Sequence, residues 1–399
     1  MRGVSTVTGN GDTKRSRHAE LGRVLREGGV LSSDWAPAFT AVPRSAFLPD
    51  VMWPFEMEAG CGGAVSKGDD PEAWYRYADA DVPIVTQWDD GRHGGTEPGR
   101  EATSSASMPS VVFRMLRDLD ARPGHRVLEI GTGTGWNAAL LAHRLGSEHV
   151  VTVEVDESVT DAARASLAHF GLPVRVIQGD GFKGCPDAAP YDRIIATCGL
   201  RSVPFTWVEQ SRPDGVIVAP WGTHYSNADA VVRLIVADDG RSASGMFTGP
   251  VEFMKLRAQR RPEVVHSEYV TGRVADGDES STTITEDQFV GGRFSPQGFA
   301  VGVRVRHCFS VVADKREGAR PVWFYGLTDR SWACVMFRDQ GAARVWQSGP
   351  RRLWNEAEAA YGWWESHGRP DIDRFGLTVD SGGERVWLDA PDWPVHTDA

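Results

Sequence analysis

The 399-residue sequence predicts an α/β fold with a mostly parallel sheet, followed by a smaller C-terminal α+β domain. Three observations support this prediction. Short apolar runs alternate with amphipathic stretches between Arg126 and Pro220, which is typical of a parallel sheet with helices on its faces. A glycine-rich turn follows the first of these runs, and a tryptophan-rich tail begins well after the last of them.

The chain before the alternating region divides into two parts. From Leu21 to Pro49, apolar residues at helical spacing and capping residues such as Ser32 predict two short helices that end at a proline-bounded loop. From Val51 to Glu101 the sequence is rich in Gly, Asp and Trp and shows no sustained period. We therefore expect this second part to be an irregular segment that is functional or partly disordered.

The alternating region predicts both strands and helices. The predicted strands are Arg126–Ile130, His149–Val155, Val174–Gln178, Tyr191–Ala196 and Gly215–Pro220. The predicted helices are Trp136–Leu145 and Ser158–Phe170. The carboxyl ends of parallel strands share one edge of the sheet, and open α/β sheets bind their ligands there. This edge is where we expect the functional site.

Beyond Arg257 the composition changes. The segment from His266 to Asp287 is polar, acidic and rich in Ser and Thr, so we expect a linker or surface loop. Leu377–Leu388 predicts a hairpin with its turn at Ser381, Gly382 and Gly383.

The tail also predicts a helix, from Pro350 to His367. Helical spacing places apolar and aromatic residues on one face of it: Leu353, Trp354, Ala357, Tyr361 and Trp364. Aromatic residues of this kind dominate protein cores and binding hot spots alike. Both interpretations of this face stay open at this point.

Charge and composition exclude several classes of protein. The net charge is −11 and no Lys/Arg cluster stands out, so a nucleic-acid partner is not expected. The first twenty residues lack the apolar segment of a signal peptide, and no apolar run is long enough to span a membrane. These observations predict a cytoplasmic protein without a membrane partner.

The cysteines and histidines do not indicate a metal site. The cysteines are odd in number, widely spaced and without a CxxC pair: Cys61, Cys185, Cys198, Cys308 and Cys334. No histidine pair has the spacing of metal ligands. We expect free thiols, no disulfide and no metal.

The glycine turn GTGTG narrows the choice of ligand. Its glycines, Gly131, Gly133 and Gly135, follow a predicted strand, but the spacing is GxGxG and not the GxGxxG of dinucleotide-binding proteins. No GK[ST] follows, which excludes a P-loop. Glu129, two residues before the first glycine of the turn, would repel a pyrophosphate and would suit a ligand that carries an ammonium group.

Two further acidic residues stand at the ends of the next strands. Glu154 could accept the hydroxyl groups of a ribose, and Asp180 beside Gly181 could face the amine and N1 of an adenine. S-adenosylmethionine combines an ammonium group, a ribose and an adenine. The sequence therefore predicts a site for this cofactor at the edge of the sheet.

From about Leu21 to Arg257 the chain resembles the protein-L-isoaspartate O-methyltransferases. The motifs that carry the resemblance are VPRSAFLP, VLEIGTGTGWNAALLA, VTVEVD, GDG, YDRIIAT and VEFMKLR, in the order and spacing of that family. The resemblance implies a Rossmann-like class I S-adenosylmethionine-dependent methyltransferase. It assigns cofactor binding to Glu129, Gly131, Thr132, Gly133, Gly135, Asn137, Glu154, Val155, Asp180, Gly181 and Thr197.

The family also carries a short TISxP loop whose serine faces the substrate carboxylate. In this chain the best register places SASMP there, which assigns the catalytic role to Ser107 and a substrate-binding role to Met108 and Pro109. A competing register chooses Ser105, which we keep as a substrate-binding candidate. Either serine could instead be the N-cap of the following helix.

Two departures from the family suggest a specialised substrate. An insertion lengthens the segment between Pro83 and Pro109, and the chain continues past VEFMKLR to Ala399. Both features are similar to homologues that methylate aspartate in ribosomally made peptides, giving an ester that cyclises to aspartimide and can hydrolyse to isoaspartate. The alternative is a repair enzyme that methylates the α-carboxyl of L-isoaspartyl residues.

The resulting prediction divides the chain into three regions. Residues 1–104 form an N-terminal helical segment with the substrate-side insertion, and residues 105–260 form the cofactor-binding domain. Residues 261–399 form a linker and an accessory domain that recognises the peptide substrate or covers the acceptor site.

Overall fold

The computed structural model describes residues 9–57 and 60–396 and falls into two compact units. Unit 1 comprises Met1–Thr197 and Glu209–Val218, and unit 2 comprises Cys198–Val208 and Ala219–Ala399. The prediction about a signal peptide concerns in part residues 1–8, which lie outside the described residues. The predicted three-part division at residues 104 and 260 does not coincide with these units and stays a functional hypothesis.

Unit 1 contains six α-helices and ten strands of the described chain, and the last three residues of its strand β10 belong to unit 2. Its helices are α1 (Gly9–Glu27), α2 (Ala36–Ala41), α3 (Pro71–Ala78), α4 (Pro109–Leu119), α5 (Trp136–Leu145) and α6 (Glu157–His169). Its strands are β1 (Val51–Glu56), β2 (Gly60–Cys61), β3 (Val65–Ser66), β4 (Ile84–Trp88), β5 (Ala102–Ala106), β6 (Val127–Ile130), β7 (Val150–Glu154), β8 (Arg175–Gln178), β9 (Tyr191–Ala196) and β10 (Ser211–Trp221).

A parallel sheet forms the centre of unit 1, with strand order β8-β7-β6-β9-β10. Val127 of β6 pairs with Val150 of β7 on one side and with Arg193 of β9 on the other. All of β6 is buried, which explains its continuous apolar run. The predicted strands and both predicted helices are confirmed, and the Rossmann-like fold with them.

The segment between Val51 and Ala106 is folded, and its predicted irregular conformation is wrong. Strand β1 pairs antiparallel with β2, β3 and β4, and β4 pairs with β5. Trp74 of α3 packs in a core with Met52 and Ile84. Strands β2 and β3 have only two residues each, which is too short for an alternating period to be visible in the sequence.

The two N-terminal helices are confirmed, although α1 begins at Gly9, twelve residues before its predicted start at Leu21. Leu21 and Leu25 of α1 and Phe39 of α2 are buried. Trp35 is the N-cap of α2 and no side chain caps this end, so the predicted capping role of Ser32 is not observed.

Unit 2 contains the remaining elements. Its helices are α7 (Phe205–Glu209), whose last residue belongs to unit 1, α8 (Glu286–Phe289), α9 (Pro296–Arg304) and α10 (Leu353–Ser366). Its strands are β11 (Asp229–Val236), β12 (Ser242–Val251), β13 (Asp278–Thr282), β14 (Cys308–Val312), β15 (Ala319–Gly326), β16 (Trp332–Arg338), β17 (Ala343–Ser348), β18 (Phe375–Asp380) and β19 (Gly383–Leu388).

Two antiparallel arrangements of strands make unit 2 rich in β-structure. The first has the order β11-β12-β18-β19, and the second the order β13-β17-β16-β15-β14. The predicted hairpin from Leu377 to Leu388 is confirmed as β18 and β19. The predicted linker is in part wrong, because β13 pairs with β17 as an edge strand. Its residues are mostly exposed, which is why the sequence there is polar.

Helix α10 confirms the predicted tail helix and decides the role of its apolar face. Leu353, Trp354 and Tyr361 are buried in a core with strands β14 to β17, and Trp364 packs against this core. Trp354 lies next to Phe289, with ring centroids 4.8 Å apart. The face therefore mainly fills the core of unit 2, and the hot-spot interpretation is wrong for its buried residues, whereas Trp364 is only partly buried.

No helix within residues 9–57 and 60–396 is long and apolar enough to cross a membrane. In the same part of the chain, no group of three or more His, Cys, Asp or Glu side chains could hold a metal ion. The cysteines have free thiols, and Cys185, Cys308 and Cys334 are buried.

Candidate active site

The glycine turn after β6 adopts a backbone conformation that other residues rarely adopt. Gly131, Gly133 and Gly135 have φ angles of 95°, 54° and 89°, a region that a Cβ atom disfavours. A Cβ on Gly133 would lie 3.4 Å from the carbonyl oxygen of Ser105. The φ angles therefore explain why the turn uses glycine, and at Gly133 the turn also lies directly against β5.

Glu129 lies behind the glycine turn and is fully buried. Its Oε1 accepts a 2.6 Å hydrogen bond from Asn137, and its Oε2 accepts a 2.6 Å hydrogen bond from the Thr152 hydroxyl. The Thr132 hydroxyl lies 2.7 Å from that of Thr152. Burial raises the pKa of Glu129 to about 7. The hydrogen bonds of Glu129, Thr132 and Asn137 thus stabilise the glycine turn on its buried side. The contact of Glu129 with an ammonium group stays a prediction.

Thr197 follows β9 and holds the first glycine of the turn. Its hydroxyl donates a hydrogen bond to the carbonyl oxygen of Gly131. Its backbone N–H donates a 2.8 Å hydrogen bond to the carbonyl oxygen of Ile130. Thr197 therefore positions the turn from the neighbouring strand.

Glu154 ends β7 beside the same turn. Its Oε2 accepts a 3.0 Å hydrogen bond from the N–H of Gly133. Its Oε1 accepts hydrogen bonds from the N–H groups of Val155 and Asp156, at 2.9 and 3.1 Å. The carboxylate is thereby fixed at the carboxyl end of its strand, where the sequence places the ribose of a ligand.

Asp180 and Gly181 follow β8, the next strand of this edge. Oδ1 of Asp180 accepts a 3.0 Å hydrogen bond from the N–H of Phe182, and Gly181 is buried. Val155 and Phe182 are 37% and 39% exposed. The ends of β7 and β8 therefore present two carboxylates together with apolar surface that a flat ring could cover.

This set of residues fits S-adenosylmethionine. Glu154 would accept the ribose hydroxyl groups, and Asp180 would face the amine of the adenine. Val155 and Phe182 offer exposed apolar surface for the adenine ring. The glycine turn, free of side chains, leaves its backbone accessible to the amino-acid part.

The acceptor segment joins β5 to α4. Ser105 lies within β5 and pairs with Val85, whereas Ser107 lies between the two elements and is partly exposed. Met108, also partly exposed, is the N-cap of α4, and Pro109 is buried in its first turn. No side chain caps this helix end. The structure therefore contradicts the alternative that one of the two serines serves as an N-cap.

Arg44 is a residue of this site that the sequence did not single out. It is buried, and its Nη2 donates hydrogen bonds of 2.8 Å to the carbonyl oxygen of Ala106 and 3.0 Å to that of Val82. Its Nη1 lies 3.3 Å from the carbonyl oxygen of Ala80. Burial lowers its pKa to about 9. Arg44 thus holds the residue before Ser107, and the signal for this role was a charge inside the apolar VPRSAFLP motif.

A cavity of about 390 Å³ lies within unit 1, a size that suits a small ligand or part of a larger one. Gly133, Thr134 and Ser158 line it from the cofactor-binding side. Aromatic residues of β1, of the end of β4 and of the insertion also line it: Trp53, Trp88 and His93. The predicted insertion therefore forms a wall beside the glycine turn.

The insertion has its own internal support. The Asp89 carboxylate accepts hydrogen bonds from the N–H groups of Arg100 and Glu101, at 3.0 and 2.8 Å, and so closes the loop. Trp53 Nε1 donates a 2.9 Å hydrogen bond to the carbonyl oxygen of Thr96. These contacts close the segment between β4 and β5 and connect it to β1.

Known proteins resemble this chain over the same region. A family model described as protein-L-isoaspartate(D-aspartate) O-methyltransferase matches residues 75–260. The protein-L-isoaspartate O-methyltransferase of Methanopyrus kandleri is 34% identical over 215 residues, which cover 53% of this chain and 79% of the relative. The one of Methylorubrum extorquens is 33% identical over 242 residues, which cover 61% of this chain and 87% of the relative.

A solved structure named protein-L-isoaspartate O-methyltransferase shares the fold. It has a TM-score of 0.52 and 22% sequence identity, and the match covers 94% of this chain and 100% of the other. The relatives match over most of their own length, and the family model spans both the glycine turn and the acceptor segment. This chain is therefore a methyltransferase that uses S-adenosylmethionine, and it belongs to the protein-L-isoaspartate O-methyltransferase family.

Proposed function

We propose that the chain transfers a methyl group from S-adenosylmethionine to the α-carboxyl group of L-isoaspartyl residues in proteins or peptides. The main support is that the family model matches residues 75–260, which include Ser107 on the acceptor side as well as the cofactor residues. Relatives of the same name are 33% and 34% identical to this chain.

The C-terminal extension does not favour a more specialised substrate. From the sequence we expected repair enzymes to end near VEFMKLR, so that a longer chain would mark the peptide-modifying homologues. A solved structure named protein-L-isoaspartate O-methyltransferase covers 94% of this chain. An extension of this kind is therefore no reason to prefer the peptide-modifying function.

The chemistry requires positioning more than proton transfer. An α-carboxyl group has a reference pKa of about 3.5 and is ionised at neutral pH, so no general base is needed. The cofactor supplies an electrophilic methyl group. Ser107 would donate a hydrogen bond to one carboxylate oxygen and leave the other free to react. Such alignment can lower the free-energy barrier of methyl transfer by on the order of 7–11 kcal/mol.

Arg44 and the insertion would serve this alignment indirectly. Arg44 fixes the carbonyl oxygen of Ala106 and so limits the positions that Ser107 can take. Trp53 and Trp88 line the cavity beside Gly133, where they would keep bulk water away from the reacting groups. Excluding water strengthens the electrostatic interactions that hold the acceptor.

A second candidate is methylation of an aspartate side chain in a ribosomally made peptide. The observation that favours it is the folded insertion between Trp88 and Ala102, because a rigid wall suits one constrained peptide better than many flexible ones. The ester would lose methanol to the neighbouring backbone amide and give an aspartimide, which persists or hydrolyses to isoaspartate. In this reading, residues 261–399 would recognise the peptide.

Two synthetic peptides of one sequence separate the candidates. One carries L-isoaspartate and the other L-aspartate at the same position, and each is tested in linear and in cyclic form with radiolabelled S-adenosylmethionine. We expect the isoaspartyl peptides to be methylated, with little dependence on cyclisation. Methylation of the cyclic aspartyl peptide alone would contradict the proposal and favour the second candidate. Ser107→Ala provides the background rate.

A further inference from the structure

Unit 2 contains a group of charged side chains that no step above uses. The group comprises Arg201, His224, Asp229, Lys255 and Arg261, and we call it the Arg201 cluster. Charged and polar groups that are buried in proteins normally have partners. Whether each of these side chains has a hydrogen-bond or ion-pair partner within the protein therefore decides whether the cluster needs a further ligand.

Backbone contacts bring two of its stretches together. Gly199 forms a parallel bridge with Lys255. The side-chain oxygen of Gln259 accepts hydrogen bonds from the N–H groups of Arg201 and Ser202, at 2.6 and 3.2 Å. Its Nε2 donates a 2.7 Å hydrogen bond back to the carbonyl oxygen of Ser202. The backbone that carries Arg201 is thus held in place.

A buried ion pair balances one of the positive charges. Lys255 Nζ donates a hydrogen bond to Oδ2 of Asp229, and the two side chains are 9% and 0% exposed. Oδ1 of Asp229 has no hydrogen-bond partner in the described structure. A Cβ on Gly222 would lie 1.8 Å from it, so the backbone at Gly222 covers this oxygen. Asp229 is therefore paired directly with Lys255, and its charge also acts on the guanidinium of Arg201.

Arg201 and His224 are left with buried nitrogens that lack partners. Nε and Nη1 of Arg201, and Nδ1 of His224, are buried without a hydrogen-bond partner among the described residues. Arg261 adds a further positive charge, and its guanidinium lies 3.4 Å from the centroid of the Phe309 ring. The cluster therefore has more positive charge and more donors than its own acceptors can satisfy.

The positive charges of the cluster also affect the pKa of His224. Burial, followed by the charges of Arg201, Arg261, His307 and Lys255, lowers the pKa of His224 to about 4. His224 is therefore neutral at physiological pH, when its ring can donate one hydrogen bond. Among its five members the cluster has three cations and one carboxylate, and the neighbouring carboxylate of Glu252 is paired with Arg293.

We propose that the Arg201 cluster is an anion-binding site for a carboxylate group, which the partnerless nitrogens of Arg201 bind and the charges of Lys255 and Arg261 attract. A guanidinium group pairs well with a carboxylate because both are planar and form charge-assisted hydrogen bonds. An acidic residue of the acceptor or a free carboxylate metabolite could supply the group. The first of these sources rests on the proposed function, but the site itself does not.

Direct binding tests the site in the full-length protein. Acetate and succinate are titrated at constant ionic strength, with chloride as the reference, into the wild type, Arg201→Gln and Arg338→Gln. Arg338 is exposed on β16 of the same unit and is the matched control. We expect saturable binding by the wild type and Arg338→Gln, and affinity at least about 10-fold weaker in Arg201→Gln, since a tenfold change corresponds to about 1.4 kcal/mol.

Two outcomes would overturn the site: no saturable binding by the wild type, which would mean that water alone serves these nitrogens, or equal affinity in Arg201→Gln. Circular dichroism and S-adenosylmethionine affinity establish that each variant is folded. If Arg201→Gln does not fold, Arg201→Lys keeps the charge but loses the planar geometry. It should bind acetate more weakly than the wild type, and equal binding would overturn the proposal.

Steady-state kinetics distinguishes the two sources of the carboxylate. Acceptor peptides are compared that carry Glu or Gln beside the methylated residue. A KM raised in Arg201→Gln for the Glu peptide alone, with kcat unchanged, identifies the acceptor as the source. Unchanged KM values with lost acetate binding identify a free carboxylate. If the wild type methylates neither peptide, the proposed function fails while the binding result still decides the site.

Discussion

The buried guanidinium of Arg44 donates a 2.8 Å hydrogen bond to the carbonyl oxygen of Ala106, 62 residues later in the chain. Ala106 directly precedes Ser107, so this bond connects the VPRSAFLP motif to the acceptor segment. The same side chain bonds to carbonyl oxygens at Ala80 and Val82. One buried cation therefore sets the backbone from which the acceptor serine extends.

Replacing Arg44 should affect stability and turnover together. Arg44→Met leaves the buried carbonyl oxygen of Ala106 without its donor, at a cost on the order of 1–3 kcal/mol, and also removes the donor to two part-buried carbonyl oxygens. We expect a lower denaturation midpoint and a lower kcat, with S-adenosylmethionine affinity largely retained. Guanidinium denaturation, kinetics and calorimetry measure the three quantities. Arg117→Met, exposed on α4, is the control, and a variant as stable and active as this control would contradict the role.

Glu154 and Asp180 should each contribute to cofactor affinity. Glu154→Ala and Asp180→Ala lose charged hydrogen bonds worth roughly 1.5–3 kcal/mol, so we expect binding weaker by about 10- to 150-fold. Glu154→Ala should have the larger effect, because this carboxylate also accepts the N–H of Gly133. Calorimetry with Asp161→Asn, an exposed change on α6, as control checks the expectation. Unchanged affinity in both variants would refute the cofactor assignment.

Ser107 should act on the acceptor and not on the cofactor. Ser107→Ala removes the hydroxyl that would orient the acceptor carboxylate, so we expect lower kcat/KM with unchanged S-adenosylmethionine affinity. Ser105→Ala is the matched control, since Ser105 lies within β5. If Ser105→Ala loses activity while Ser107→Ala keeps it, the register that we prefer is wrong.

Glu129 should make stability fall as the pH rises. Its pKa is raised from 4.5 to about 7 by burial, so between these values the unfolded chain has released the proton that the folded chain still binds. The free energy of unfolding therefore decreases with pH in this window. Glu129→Gln cannot titrate at this position. Relative to the wild type, we therefore expect the free energy of unfolding of the variant to increase by on the order of 1–3 kcal/mol between about pH 4.5 and pH 7.

Urea denaturation at several pH values measures this difference. Glu157→Gln, exposed at the start of α6, is the control and should follow the wild type. A constant difference between the wild type and Glu129→Gln across the window would show that Glu129 does not titrate in this way.

A truncation near Arg260, at the predicted boundary between the cofactor-binding domain and the C-terminal region, is not a sound test of that region. Strand β12 pairs with β18 from Ser242 to Met246, and both lie in unit 2. A chain that ended near Arg260 would lose this partner strand and expose an unpaired edge. Point substitutions such as Arg201→Gln test unit 2 without removing most of it.

The local pattern of the sequence was sufficient to predict the parallel sheet and the position of the cofactor site. Strand Tyr191–Ala196 and helix Trp136–Leu145 have the predicted bounds, because a buried apolar run and a helical period lie within the segment itself. The glycine turn, Glu154 and Asp180 were found because they directly follow such strands. Their type and position together predicted an adenosine-containing ligand.

Only the tertiary structure decided which residues these groups contact. Glu154 bonds to Gly133, 21 residues away, and Arg44 bonds to Ala106, 62 residues away. The side of α10 that carries Trp354 could have been a core or a binding surface, and packing against β14 to β17 made it a core. Contacts between distant residues depend on how whole elements pack, whereas composition and periodicity record only the burial of each segment.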